Sequence, residues 1–269
     1  MNTNNIQKQF GRMGARVQLT SFPVTQQRRS GFSVDITRDK EGPFFDISRS
    51  DDITRELLVL DNQPAQRHLL LLIRDQTDNG EVKHKFLCGH DERDWFVAAV
   101  PETLSVSSVQ TAMEALKPAE VLAAQTQKNV KTRHRNRWRN EAFVRQGEWF
   151  FIPELNVNPP KWMIIHDEPL IRGRGKPHTA EYVFRTGGTT VYVNRQYPNG
   201  LSEENYRQMV QEGKAKASDF RVRRLDPKVY VKGRITHADH KTVILNDWHR
   251  VIPNTENRAA SMNHLAFID

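Results

Sequence analysis

Three short strings in this chain bring imidazole and carboxylate groups close together along the backbone. They are His90-Asp91-Glu92, His166-Asp167-Glu168, and His237 with Asp239 and His240, with His249 a little further on. Hydrolytic metal centres use such ligands and leave one position open for water. None of the three has a diagnostic spacing: the chain holds no HExxH, no paired CxxC, no Walker loop and no GxSxG. Strings of this kind on polar loops are ordinarily solvated turns. No metal ligand and no cofactor is therefore assigned from sequence, and a divalent metal enters only with the nuclease alternative given below. Cys88 stands two residues before His90, and a neighbouring base raises the thiolate fraction of a cysteine. No third, orienting group follows it, and a lone cysteine is usually a small buried hydrophobe.

A second kind of chemistry is written in the charges. Lys128 to Arg139 reads KNVKTRHRNRWR, in which six of twelve residues are basic (Lys128, Lys131, Arg133, Arg135, Arg137, Arg139) and none is acidic. Cations so spaced neutralise phosphates and release condensed counterions. Arg adds a planar fork that contacts two phosphate oxygens at once, and Trp138 offers a flat face on which an unstacked base can lie. The segment is compatible with a basic helix running on toward Gly147, which supplies a C-terminal stop. Further on, Arg172-Gly-Arg174-Gly-Lys176-Pro-His178 interleaves two glycines with three bases. Its backbone can approach an anion closely while the side chains clamp it. Arg221, Arg223, Arg224, Lys228, Lys232 and Arg234 extend the same character. The competing reading is a solvated face or a charged linker.

The chain has 269 residues and a formal charge of +8, unevenly spread. Residues 1–127 hold 15 Lys and Arg against 17 Asp and Glu, net −2; residues 128–269 hold 25 against 15, net +10. The basic half attracts nucleic acid, anionic surfaces or acidic proteins. A membrane span is excluded by pattern, since no apolar run approaches the roughly 18 residues one needs. The single cysteine excludes an internal disulfide and fits a reducing compartment. The expected location is intracellular, either cytoplasmic or with the nucleoid or nucleus.

The elements that must hold these groups read as follows. Residues 1–30, acid-free and rich in Gln, Asn, Ser and Thr, suggest a flexible basic arm. Residues 31–106 form a β-rich domain of short apolar runs, among them a hairpin of Leu69 to Asp75 with Val82 to Leu87 around Asp78-Asn79-Gly80. Residues 107–147 form a helical segment: Ser107 or Ser108 caps a first helix, Pro118 opens a second, and the basic helix follows. Residues 148–269 form a basic β-rich domain. It is interrupted by a helix capped at Ser202 and closed at Gly213, and His237 to His240 lies at the turn of a hairpin. The expected class is α+β, two β-rich regions joined by a short helical segment ending in a basic helix. The expected function is nucleic-acid binding, with RNA or single strands preferred. The alternatives are a metal-dependent nuclease or related hydrolase built on the His clusters, and a protein-interaction subunit of a larger assembly.

Overall fold

The computed structural model describes residues 3–22, 32–50, 55–77, 80–91, 94–101, 105–171 and 176–255. It is mostly β, with 50% strand and 21% helix in several sheets. The balanced α+β expectation with a helical linker is thereby corrected: short helices decorate the sheets. The reason lies in length, since helices of seven to ten residues cannot stand without a sheet to cover.

The first half packs two sheets face to face. One has the order β1 (Val17–Phe22), β3 (Gly42–Ser50), β2 (Phe32–Asp39), with β1 parallel to β3. Arg16 braces its hairpin, donating to both carboxylate oxygens of Asp39 (2.7 and 2.6 Å) and to the Gly42 carbonyl. The other is an antiparallel meander of β4 (Arg55–Gln63), β5 (His68–Thr77), β6 (Gly80–Asp91) and β7 (Asp94–Val100). The expected hairpin is β5–β6, in register from His68↔Gly89 to Thr77↔Gly80. The run Leu69 to Ile73 is continuously apolar because β5 is covered on both sides. Leu69, Leu71 and Ile73 face the other sheet, while Leu70 faces a helix. Each such burial contributes roughly 1.5–3 kcal/mol.

Part of the expected basic arm is structured. Thr3–Arg12 forms α1, whose Ile6 and Phe10, with Met13 just beyond, are buried against the first sheet. Phe10 meets Phe45 edge-on at 5.0 Å, and Asn62 donates to the Gln9 carbonyl. On the far face of the meander lies α2 (Val109–Ala115), closed by a Ser108/Thr111 capping box. Pro118 then precedes α3 (Ala119–Gln127), as its sequence predicts.

The second half is one six-stranded antiparallel sheet with order β10-β11-β14-β15-β9-β8. Its strands are β8 (Val144–Gln146), β9 (Trp149–Pro153), β10 (Ile165–Leu170), β11 (His178–Thr186), β14 (Lys228–Thr236) and β15 (Val243–Pro253). Register shifts at Ala180/Tyr182 and Val231/Gly233, the latter with Gly233 at φ +87°, bend the central strands. Trp149, Phe151, Val183, Val231 and Ile235 form the core on one face; Phe143 and Phe150 pack with α3. Between β11 and β14 the chain makes an excursion, β12 (Thr189–Val193), α4 (Glu203–Gln211) and β13 (Arg221–Leu225), capped by Ser202 as expected. Among the described residues no helix is long and apolar enough to cross a membrane.

Candidate functional site

The basic segment is not a helix. Helix α3 ends at Gln127, Asn129 turns the chain left-handed at φ 51°, and Val130 drops into the core. Thr132–His134 makes a single 3-10 turn, and Arg139 bridges to Val144. The cause is a competing set of partners. The Arg135 carbonyl, which a helix would give to Arg139, accepts from Lys117 Nζ (2.9 Å) and Gln125 Nε2 (2.6 Å). Lys117, with a side chain 3% exposed, also donates to Glu114 and Asn136 at 2.6 Å each. Burial pushes its pKa down, and Glu114 partly restores it.

This pinning leaves the cations outward on an ordered loop. Lys128, Lys131, Arg133, Arg137 and Arg139 are exposed. Lys128, Lys131 and Arg137 meet no carboxylate among the described residues, whereas half-buried Arg135 turns inward toward Gln125 and Glu114. Trp138 is half-buried, with the Arg145 guanidinium 4.9 Å over its ring, so it supports an arginine where the sequence suggests a bare platform. Trp162, 84% exposed, has the bare aromatic face instead. Arg172 and Arg174 lie outside the described residues. Lys176 is ion-paired with Asp239 at 2.6 Å, a tie to the His237 turn that occupies its charge.

That turn holds the second feature. The antiparallel pairing Thr179↔Thr236 sets the start of β11 against the end of β14, so His178 and His237, one residue beyond each, come together. The bend before β15 brings His240 back to the same place. Ligating atoms of the three lie within 4.8 Å of one another. The rings stack, with centroids 4.1 Å (His178–His237), 4.6 Å (His237–His240) and 5.5 Å (His178–His240) apart. His178 is wholly buried, and among the described residues neither of its ring nitrogens has a hydrogen-bond partner; nor has the buried Nε2 of His237. Burial, and then the neighbouring imidazoles, lower the His178 pKa to about 3, so the ring is neutral at neutral pH and one of its nitrogens keeps a lone pair. The β8–β9 turn closes over the group, as Gln146 Nε2 donates to the carbonyls of Ile235 (3.2 Å) and Lys241 (2.7 Å). Gly147, at φ +55°, is needed here on two counts: a Cβ would sit 2.7 Å from His240 Nε2 and 3.2 Å from His178 Nε2.

The other strings stay apart. His90 lies edge-on to Trp95, His166 lies against Tyr182, and Glu168 pairs with Arg185. Glu92 is outside the described residues. His249 Nδ1 lies 2.8 Å from the Asp247 carbonyl. Cys88 is fully buried and burial pushes its thiol far up, which removes the nucleophile reading. The sequence marks His178 only as the end of the Arg-Gly loop; its partners are hidden there because strand register is not visible in a string of residues.

Between the two features runs an open cleft with largely apolar walls, including Leu87, Trp95, Phe96, Met113 and Phe150. Arg137 reaches it from the basic segment, Arg145 from β8, Gly147 from the β8–β9 turn, and Asp239 and His240 from the histidine turn. Asp91, Asp94 and Glu148 also line it, so its charge is mixed. No protein-family model, no curated protein and no solved structure matches this chain.

Proposed function

We propose that the protein binds nucleic acid, using the ordered loop 128–139 to contact phosphates. One observation carries this: Lys128, Lys131 and Arg137 are held outward, without a carboxylate partner among the described residues, on a loop whose backbone is fixed by Lys117 and Gln125. Fixed cations lose little freedom on meeting a phosphate, and each such meeting releases counterions. Arg133 and Arg139 extend the strip, and the exposed Trp162 suits single strands or RNA, whose bases can stack on it. The test is binding of labelled single-stranded RNA, single-stranded DNA and duplex DNA across a salt series. Wild type should bind with a steep salt dependence. Combined Ala replacement of Lys128, Lys131, Arg133 and Arg137 should flatten the slope by about 0.7–0.9 for each phosphate that is no longer neutralised. An unchanged slope, or no salt-sensitive binding by wild type, sinks the reading.

A second reading, a metal-dependent hydrolase acting on the bound strand, is favoured by one observation, the convergence of His178, His237 and His240 beside the cleft. It requires cleavage that chelator abolishes and a metal ion restores.

A further inference from the structure

We propose that His178, His237 and His240 bind one divalent transition-metal ion of the zinc class. Imidazole nitrogen is a borderline ligand that suits Zn²⁺, Co²⁺, Ni²⁺ and Cu²⁺ and discriminates against Mg²⁺ and Ca²⁺, which take oxygen. Three such side chains converge within 4.8 Å. The wholly buried member, His178, presents two nitrogens that no group among the described residues satisfies. A buried polar side chain left in that state is costly in a fold, and a ligand that takes its one lone pair removes the share of the cost that falls on the acceptor nitrogen.

The surroundings are those of a site that has to admit something. Gly147 leaves open the volume beside the Nε2 atoms of His178 and His240 that any other residue would fill. Gln146 fixes the β8–β9 turn above it, and the Lys176–Asp239 pair ties the histidine turn to the segment before β11. The rings now lie within 27° of parallel, so three lone pairs meet at one ion only after the imidazoles turn about Cβ–Cγ. The Asp239 amide donates to His237 Nδ1 at 3.1 Å, and that bond is given up on binding. With Nε2 as ligand the proton moves to Nδ1; with Nδ1 as ligand its lone pair is taken. Three protein nitrogens leave a fourth position for water. Gly147, Asp239 and His240 line the cleft, so the histidine group lies at its edge.

This inference stands apart from nucleic-acid binding, which rests on other residues. Tag-free full-length protein, stripped with chelator and dialysed against Zn²⁺, should retain one ion per chain. With Co²⁺ it should show visible ligand-field bands of a low-coordinate nitrogen site. His237→Ala and His240→Ala, both on the turn, should each weaken Zn²⁺ binding at least tenfold with circular dichroism unchanged. His178→Ala is less suited, because a vacated buried position can unfold the sheet. Retention of less than about a tenth of an equivalent of zinc by wild type overturns the proposal, given how tightly structured zinc sites hold their ion. So does undiminished Zn²⁺ and Co²⁺ binding by the His237→Ala/His240→Ala double variant. Nucleic-acid affinity is measured separately, so failure of one proposal is distinguishable from failure of the other.

Discussion

His68 lines the cleft with its ring 5.4 Å from Phe96, its Nδ1 toward the Gln66 carbonyl. Burial lowers its pKa, the Gln66 carbonyl pulls less strongly the other way, and the charges of Arg145 and His90 add smaller downward pushes. The fold therefore holds this ring neutral, while in the unfolded chain it takes a proton near pH 6.5. Its contribution to stability is complete above that pH and is lost as pH falls from about 6.5 toward the lowered folded value, with a slope of at most about 1.4 kcal/mol per pH unit. His68→Phe, which keeps the ring packing, should give a flatter curve of melting temperature against pH between about 6.5 and 5, with wild type losing more on acidification. Buried His249, lowered by burial as well, continues to contribute in the variant. Much at this scale is legible in the sequence: Ser108 and Ser202 as caps, and His237 to His240 at a hairpin turn. What a string of letters hides is the partner of each group. Asp239 stands among the candidate ligands and is engaged by Lys176, and His178 completes the trio from 59 positions before His237.

Among elements, the basic loop shows why charge pattern and backbone shape are separate questions. Alternating cations are equally compatible with helix, strand or loop, and here a buried Lys117 and Gln125 decide by taking the Arg135 carbonyl. Lys117→Met should leave Glu114 and Asn136 without their common donor and cost about 1–3 kcal/mol, less than a fully buried pair because Glu114 is partly exposed. Urea titration measures the loss. The same variant should lower nucleic-acid affinity while leaving every loop cation in place; unchanged affinity would show that the loop needs no pinning. Helix α1 escapes a sequence reading for the opposite reason. Its surroundings are polar, but Ile6, Phe10 and Met13 stand at i, i+4 and i+7, the one available sign that a face was meant for burial. The β5–β6 hairpin is readable because its apolar runs and the Asp-Asn-Gly string between them point to the same register, although Asp78 and Asn79 themselves lie outside the described residues.

At the scale of the whole molecule, the two halves differ in charge and in architecture. A face-to-face pair of sheets occupies the half that is net −2, and a bent six-stranded sheet the half that is net +10. The cleft is lined from both, so a ligand there would stiffen one half against the other and raise the melting temperature of each. Within the second half, β11 ends and β14 begins on one rung, Thr186 opposite Lys228. The intervening β12, α4 and β13 have their own contacts, Tyr192 stacked on Tyr206 at 3.8 Å and Tyr206 against Phe220. Replacing residues 187–227 with an Asn-Gly turn should close β11 onto β14 as a simple hairpin. The shortened chain should melt cooperatively by circular dichroism and, under the zinc proposal, retain as much zinc as the full chain. Loss of cooperative melting would show that the excursion supports the sheet. A segment that leaves and rejoins on the same rung is a detachable cassette. Its length and sequence can drift without disturbing the register that brings His178 to His237, so related chains can differ most here while sharing the turn that gathers the histidines.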